Sequence, residues 1–338
     1  MPNNNHPLSV NGAWAQLLTD WLDKEQLVAP ELRHQLDGLR PTDRINVSLW
    51  QKMLEEAVGL KPEAVAPVVD IGQLVQPRHV GLLGYLVLSC QTLAEALVAY
   101  HRYESLFYNS QVVEVFGRGD YVRVSWPKHV SAGELSDVLS FVAMVAFLRR
   151  LVTEQNLATK VGFVLPQPNQ ETYAALTAYF GCHVLFEQNE FFIDFPVTHL
   201  SQPLHYSDTG LTTLLNRQNK ALLNATLGAD PFEYKLQQVI ARLLPENRAS
   251  LKEVAEQVHV SVRTLQRRLS MRGLHWQKLL DSTRMALAEE YFADQNLSLA
   301  DIALLLGFSE QSAFSRAYQN WTGQPPGKVR NQRLGLIN

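Results

Sequence analysis

Apolar and polar positions follow a mixed pattern in the first two thirds of the chain and a helical pattern after it. The spacing predicts helices over residues 8–27, 42–58, 93–108, 135–153 and 171–180, with Thr42 and Asp43 as candidate caps of the second. Alternating β-rich runs predict strands over 111–116 and 121–126 around a turn at 117–120, and a strand near 161–165. They also predict a hairpin of strands 183–187 and 190–195. After Pro203 only helical periodicity continues.

This change of pattern predicts a multidomain protein. We expect an α+β domain over residues 1–205, a helical connector over 206–246 and an all-α domain over 247–338. The 338 residues are enough for each domain to bury a core of its own.

Charge is distributed unevenly, although the net charge of the chain is only −3. Residues 247–338 hold 12 Lys and Arg against 8 Asp and Glu, a net charge of +4, which leaves −7 for the rest. A basic C-terminal part on an acidic body predicts an anionic partner for the C-terminal domain.

The sequence indicates neither export nor a membrane span. Residues 1–7 lack a basic segment followed by an apolar one, and the apolar runs at 80–90 and 138–148 are too short to cross a bilayer. The two cysteines, Cys90 and Cys182, stand far apart in apolar surroundings, which favours buried reduced thiols over a disulfide. We expect a cytoplasmic protein that makes no membrane contact.

The last domain contains an internal repeat. Leu251, Val254, Ala255, Val258 and Ser261 correspond to Leu299, Ile302, Ala303, Leu306 and Ser309 at an offset of 48. The offset then becomes 49, and Leu265, Arg267 and Leu269 correspond to Phe314, Arg316 and Tyr318. Each copy has a short apolar helix with a small residue, a turn, and a second helix with one apolar and one polar face. This is the pattern of a helix-turn-helix unit.

The turns and second helices of the two copies carry the predicted chemistry. Gly307 suits a positive φ in the second turn, His259 occupies that place in the first, and Ser261 and Ser309 are predicted caps. The second helix of the first copy has no acidic residue and carries Arg263, Gln266, Arg267, Arg268 and Arg272. Arg and Gln suit guanine and adenine edges, so this face favours DNA reading over the alternative, two plain hairpins of a helical bundle.

Several segments extend the pattern to a family. They are Leu-Gln-Arg-Arg-Leu (265–269), Arg-Met-Ala-Leu-Ala-Glu (284–289), Ile-Ala-Leu-Leu-Leu-Gly-Phe-Ser (302–309), Gln-Ser-Ala-Phe-Ser-Arg (311–316) and Trp-Thr-Gly-Gln-Pro-Pro (321–326). Through them, residues 250–333 resemble the DNA-binding domain of the AraC/XylS transcription regulators. The resemblance implies seven helices, with helix-turn-helix units at about 251–272 and 299–321 and a linker helix at about 276–292. Both recognition helices would enter successive major-groove segments of double-stranded DNA.

The resemblance also implies which residues bind DNA. The candidates for base reading are Arg263, Gln266 and Arg267 in the first unit and Gln311, Ser312, Ser315 and Arg316 in the second. Ser261, Thr264, Arg268, Lys328 and Arg330 complete the set, and the last two are expected to contact phosphate or hold the final helix. Leu265, Ala313 and Phe314 are core by spacing, and Glu310 favours a helix N-terminus.

Residues 15–200 resemble the non-cupin, ligand-binding type of N-terminal domain found in a subset of the family. The resemblance rests on the segments at 81–90, 92–97 and 180–186, and no clustered His/Glu metal pattern is present. Arg78, His79, Arg102 and Tyr103 are the candidate effector-binding residues, because they are polar groups beside apolar segments. A buried Arg suits a carboxylate, so a carboxylate or hydrophobic metabolite is expected. Alternatively, Arg102 lies on a solvated helix face and the tyrosines are core.

The sequence has no phosphate loop, zinc-protease motif, Cys-x-x-Cys pair or nucleophile elbow, which argues against an enzyme. We therefore predict a transcription regulator without metal or cofactor, acting as a homodimer and, by the commoner behaviour of the family, as an activator that engages RNA polymerase. Its N-terminal domain is expected to sense a small molecule and control DNA binding or dimer geometry. In the alternative, that domain only dimerises or binds a protein partner.

Overall fold

The computed structural model describes residues 9–108, 113–153, 156–205, 213–214, 216–218, 220–222 and 231–334. These residues form two compact units. The first comprises the described residues up to Leu83 and those from Cys90 to His205, and the second comprises Gly84–Ser89 and the described residues from Thr213 onward. The predicted fold class is confirmed, whereas the domain boundaries stay a prediction because part of the predicted connector lies outside the described residues.

The first unit is built on a five-stranded sheet and a two-stranded one. The strands are β1 (Ser9–Asn11), β2 (Arg44–Asn46), β3 (Glu114–Arg118), β4 (Tyr121–Pro127), β5 (Lys160–Gly162), β6 (His183–Leu185) and β7 (Glu190–Pro196). The larger sheet has the order β3-β4-β7-β5-β6, in which only β5 and β6 run parallel, and β1 pairs antiparallel with β2.

Some helices of this unit pack on the strands and others pack on each other, and the end of α6, from Gly84, is assigned to the second unit. They are α1 (Ala13–Lys24), α2 (Pro30–Asp37), α3 (Val47–Gly59), α4 (Pro67–Gln73), α5 (Pro77–Val80), α6 (Leu82–Leu88), α7 (Leu93–Tyr108), α8 (Glu134–Arg149), α9 (Gln170–Phe180) and α10 (Val197–Leu200). Helix α8 is apolar almost all round and packs against α3 and α4. A Cβ at Gly72 would lie 2.5 Å from Cγ1 of Val142, so glycine is what permits the close crossing of α4 and α8.

Two predictions near the N-terminus are wrong. The first helix begins at Ala13 rather than near residue 8, because residues 9–11 form β1 and the buried Val10 and Ile45 pair across to β2. Helix α3 is capped by neither Thr42 nor Asp43. Asn46 is its cap and accepts a hydrogen bond from the backbone N–H of Ser48 at 2.9 Å. The Asp43 carboxylate instead accepts from the backbone and guanidinium of Arg40.

The predicted hairpin of residues 183–187 and 190–195 is also wrong. Both strands form, but β5 lies between β6 and β7. The link at 186–189 crosses the end of β5, where the backbone N–H of Gln188 donates to the carbonyl of Phe163 at 2.9 Å. The hairpin of β3 and β4 does form, with Gly119-Asp120 between its strands.

The described part of the second unit is helical. It contains α11 (Pro231–Leu243), α12 (Leu251–Gln257), α13 (Val262–Ser270), α14 (Trp276–Tyr291), α15 (Leu299–Leu305), α16 (Gln311–Thr322) and α17 (Pro326–Arg333). Six of these helices, rather than seven, lie within residues 250–333, and α11 packs against α12 and α14 from upstream of that range. The segment Gly84–Ser89 also belongs to this unit. Tyr85 donates a hydrogen bond to Asp294 at 2.7 Å and packs edge-on against Tyr291.

Within the described residues, no helix combines the length and apolarity needed to span a bilayer. Both cysteines are free thiols. Cys90 is buried as predicted, whereas Cys182, which follows the left-handed Gly181 at the end of α9, is only half-buried.

Candidate nucleic-acid interface

The first helix-turn-helix unit consists of α12 and α13. Val254 and Ala255 on α12 are fully buried, as expected for a scaffold helix that a second helix crosses closely. In the turn His259 adopts a φ of 56°, which confirms a left-handed residue at this place. Ser261 caps α13 by accepting a hydrogen bond from the backbone N–H of Thr264 at 3.1 Å, also as predicted. The Ser261 and Thr264 hydroxyls lie 2.8 Å apart, so both are engaged at the helix start.

The first recognition helix, α13, has two distinct faces. Leu265 and Leu269 are buried, while Arg263, Gln266 and Arg267 are exposed. These three exposed side chains have no bonding partner within the described part of the chain. The face therefore presents two cations and an amide with their hydrogen-bonding groups unused, which is what contact with base edges requires.

Two further arginines of the first unit face a different neighbour. The guanidinium of Arg272 lies 4.7 Å from the ring centroid of Phe232 on α11, and that of Arg268 lies 5.9 Å from the same centroid. Both guanidinium groups thus lie within cation–π range of one aromatic ring. Arg268 belongs to the predicted DNA-binding set, and the structure separates it from the face of Arg263, Gln266 and Arg267.

The second helix-turn-helix unit consists of α15 and α16. Ser298 and Asp301 form a capping box at the start of α15, in which each side chain accepts from the other residue's backbone N–H. Gly307 adopts a φ of 73°, as predicted for the turn, and a Cβ there would lie 2.8 Å from the carbonyl oxygen of Leu244. Glycine is therefore required twice at this position, by conformation and by space.

The predicted cap of the second recognition helix is wrong. Glu310, not Ser309, is the N-cap residue of α16, and its side chain makes no capping hydrogen bond. The turn of this unit holds one residue more than the turn of the first. That residue moves the helix start from an offset of 48 to one of 49 and leaves Ser309 outside the cap position.

The second recognition helix, α16, also has a buried and an exposed face. Phe314 and Tyr318 are buried, Gln311, Ser312 and Arg316 are exposed, and Ser315 is half-buried. Ala313, predicted as core, is only half-buried. The Ser312 hydroxyl donates to the Glu310 carboxylate at 3.1 Å, so Ser312 is already engaged and an acid stands at the helix start.

The linker helix α14 holds the second unit in place through buried polar contacts. Nε of Arg284 donates to the carbonyl of Leu306 at 2.9 Å, and its guanidinium lies 4.6 Å from the ring centroid of Phe308. Burial lowers the pKa of Arg284. Glu289, on the same helix, accepts hydrogen bonds from Tyr318 and Arg333. The second recognition helix is thus fixed to α14 by side chains as well as by packing.

Comparison with known proteins agrees with this geometry. A family model described as the arabinose-binding domain of AraC transcription regulator, N-terminal, matches residues 36–204, and a helix-turn-helix domain model matches residues 254–332. The ornithine utilization regulator of Pseudomonas aeruginosa is 31% identical over 296 residues, which are 86% of this chain and 85% of that protein. The chain belongs to the AraC family of transcription regulators. Its relatives are named as transcription regulators, not as enzymes.

Other matches to this AraC-family regulator are shorter or weaker. The HTH-type transcriptional regulator VirS of Mycobacterium tuberculosis is 34% identical over 162 residues, which are 47% of this chain and 46% of that protein. The crystal structure of the regulator CdpR from Pseudomonas aeruginosa superposes with a TM-score of 0.43 at 22% identity, covering 96% of this chain and 100% of that one.

Two basic residues of α17 differ in their surroundings. Arg330 donates to the backbone carbonyls of Asp294, at 3.1 Å, and Leu297, and burial lowers its pKa. Of the two roles predicted for Arg330, this geometry favours holding the final helix. Lys328 is exposed and has no partner within the described residues, which leaves its ammonium free for a phosphate.

The candidate effector residues are only partly described. Arg78 and His79 lie on α5, and both contact Asp20 on α1, Arg78 Nη2 at 2.5 Å and His79 Nε2 at 2.9 Å. The other ring nitrogen of His79 accepts from the backbone N–H of Gln76, and burial lowers the pKa of His79 to about 4, although Asp20 acts in the opposite direction. The pair thus ties α5 to α1. The side chains of Arg102 and Tyr103 lie outside the described part, on α7, and their role stays a prediction.

Sequence reasoning missed a cavity in the first unit of this AraC-family regulator. It is lined by Val10, Val47, Trp126, Val130, Ala132, Ser136, Asp137, Ser140, Phe141, Met144 and Phe191. Asp137 is 8% exposed, and burial raises its pKa to about 6, against hydrogen bonds from Ser131 and Ala132. The available signal was an acid directly before the apolar run at 138–148. Neither Arg78 nor His79 lines the cavity. Within the described residues no group of three or more potential metal ligands is present.

Proposed function

We propose that this regulator binds a specific operator by placing its two recognition helices, α13 and α16, in successive major-groove segments of double-stranded DNA. The observation that carries the proposal is the exposed, unpartnered face of α13, with Arg263, Gln266 and Arg267. Arginine can contact O6 and N7 of guanine with two hydrogen bonds, and glutamine can do the same with N6 and N7 of adenine. Gln311, Ser315 and Arg316 are the corresponding side chains of α16.

The remaining residues of the predicted set have supporting roles in this proposal. Ser261 and Thr264 fix the start of α13, where their backbone groups and hydroxyls can also contact a phosphate of the DNA backbone. Lys328 contacts the DNA backbone as a point charge, and Arg330 holds α17 in place. Ser312 contributes less than its neighbours, because its hydroxyl is engaged by Glu310.

We further propose that the N-terminal unit senses a small molecule and thereby controls DNA binding or dimer geometry, so that a homodimer activates transcription with RNA polymerase in the cytoplasm. The match to an arabinose-binding-type domain supports a sensor, and the cavity beside Asp137 offers a place for a ligand. One relative is named for the utilization of ornithine, which supports control of a metabolic pathway by this chain as well.

The test is a mobility shift of the full-length protein on DNA from upstream of its own gene, with random competitor DNA and a panel of metabolites that includes ornithine. We expect a shift that resists competitor and that one compound alters. A shift that random DNA abolishes would contradict operator recognition. A specific shift that no compound changes, with a melting temperature that depends on protein concentration alone, would assign the N-terminal unit to dimerisation or to a protein partner.

A further inference from the structure

The cavity of the first unit lies where α8 meets the two sheets. Its walls come from β1, α3, β4, the loop before α8, the first three turns of α8, and β7. Its volume is about 80 Å³. A ligand of that size is a small metabolite rather than a nucleotide or a peptide.

Asp137 is the one ionisable side chain among the described residues that line the cavity. Its carboxylate accepts two hydrogen bonds from neutral donors, the Ser131 hydroxyl at 2.6 Å and the backbone N–H of Ala132 at 2.9 Å. Among the described residues no Lys, Arg or His pairs with it. The other buried acid of this unit, Asp194, is paired with Arg123 at 2.7 Å.

An unpaired buried carboxylate is costly, since burial removes its hydration and no opposite charge replaces it. Asparagine has the same shape and keeps one of the two acceptor oxygens, so it could replace an acid whose role is only structural. A carboxylate that lines an open cavity can also bind a ligand, because a cation that enters the cavity supplies the missing opposite charge.

The rest of the cavity suits the body and the charge of an organic cation. Trp126, Phe141 and Phe191 form one aromatic wall, with ring centroids 5.1 Å apart for Trp126 and Phe141 and 6.1 Å apart for Phe141 and Phe191. Aromatic faces attract a cation and also cover alkyl groups. Val10, Val47, Val130 and Met144 add apolar lining. Ser136 and Ser140 add two hydroxyls, which already donate to Gln51 and to the carbonyl of Ser136. Among the described lining residues no cation is present that would pair with an anion.

We propose that this cavity binds a small organic monocation, a primary ammonium on a short apolar body, with Asp137 as its counter-ion and the aromatic wall around its alkyl part. The proposal rests on the sensor role proposed above and makes the cation the effector. It departs from the expectation of a carboxylate effector at Arg78 and Arg102. An anion would meet Asp137 without a compensating positive charge.

The experiment uses the full-length protein and three probes of one size: butylamine, 1-butanol and butyrate. Calorimetry and the shift in melting temperature measure binding. We expect butylamine to bind and to raise the melting temperature, with the alcohol weaker and butyrate without effect. Branched and longer primary amines then define the apolar body.

Three variants locate the binding. Asp137→Asn keeps the shape and removes the charge, and we expect a loss of affinity for butylamine of about 30-fold or more. Glu134→Gln is the matched control, because it removes an exposed carboxylate one turn away on the same helix, and it should bind as the parent does. Ala132→Leu fills the cavity from a loop and should block all three probes while leaving the fold intact.

Equal affinity of the parent protein and Asp137→Asn for butylamine would overturn the assignment of Asp137. Stronger binding of butyrate or butanol than of butylamine would overturn the cationic class, while the sensor role would stand. If none of the probes binds, the inference fails, and operator recognition is still judged separately by the mobility shift.

Discussion

The two helix-turn-helix units repeat one pattern with different side chains. The first recognition helix carries three arginines and no acid, with Arg272 just beyond its end, whereas the second carries Arg316 and begins after Glu310. The buried face of the first consists of Leu265 and Leu269, and that of the second consists of aromatic side chains. The comparison indicates that the units share the work unequally. The first is suited to hold and read DNA, and the second is suited to fix the domain.

The aromatic cluster of the second unit should make that unit contribute more to the stability of the domain than the first unit does. Phe314 contacts Phe292, Phe308 and Tyr318, with ring centroids 6.4, 5.8 and 5.8 Å away. Tyr318 in turn packs on Trp321 and donates to Glu289 of the linker helix. Aromatic pairs stabilise beyond the area that they bury. Losses in stability should therefore be larger in the second unit, and losses in DNA affinity larger in the first.

The largest effect is expected for truncation of the equivalent core residues. Phe314→Ala should lower the free energy of unfolding by roughly 3–5 kcal/mol, because it leaves a cavity inside the aromatic cluster, and Leu265→Ala should cost about 3 kcal/mol. Urea unfolding followed by circular dichroism measures both, and the exposed Gln319→Ala on α16 serves as the control. A greater loss for Leu265→Ala than for Phe314→Ala would reverse the assignment of the stabilising unit.

The second largest effect on stability is expected from substitutions in the turns of the two units. Gly307→Ala should cost about 2 kcal/mol or more, since alanine is strained at a φ of 73° and its Cβ would meet the carbonyl oxygen of Leu244. His259→Gly, at a φ of 56°, removes strain and should change stability by less than about 1 kcal/mol. Thermal unfolding of both variants gives the test. Equal losses would show that the turn of the second unit relaxes, contrary to the close approach seen here.

These units also show how much the sequence predicts. The left-handed turn positions, the cap Ser261 and the buried Leu265, Leu269 and Phe314 follow from local spacing, because a helix places its core residues at a fixed period. The cap at Ser309 failed for a local reason as well. Beyond the turn the two copies are related by an offset of 49 rather than 48. Applied to Ser261, this offset predicts the cap at Glu310, where the structure has it.

Long-range pairing could not be predicted in this way. Tyr85 and Asp294 are 209 positions apart, and nothing in the periodicity around either residue indicates the other. The same holds for β5 between β6 and β7. The cavity beside Asp137 requires strands from three parts of the chain to meet at α8, so one acid beside an apolar run was its only local sign. Local pattern determines faces and ends of elements, whereas their partners depend on the whole fold.

For DNA binding, in contrast to stability, we expect substitutions in the first unit to have larger effects than those in the second. Arg267→Ala should weaken operator binding by about 1–3 kcal/mol and relax the preference at one base pair, because it removes the bidentate contact to guanine that we propose for this side chain. Arg316→Ala should cost less, since α16 begins at an acid that repels the DNA backbone. Mobility shifts on the operator and on single-base variants measure both. Arg267→Lys is the control, and it should keep binding to random DNA while losing base preference.

The smallest effect is expected at Lys328, which separates affinity for phosphate from recognition of bases. Lys328→Ala should weaken binding to operator and random DNA alike, by less than about 1 kcal/mol, and should lower the slope of log affinity against log salt by about 0.9. Titrations at several salt concentrations with both DNAs give the slope. Arg330→Ala, on the same helix, is the matched comparison. Its guanidinium binds backbone carbonyls, so its loss should lower the melting temperature and leave the salt slope unchanged. If Lys328→Ala changed base preference, or if Arg330→Ala changed the slope, the roles assigned to the two residues of the final helix would have to be exchanged.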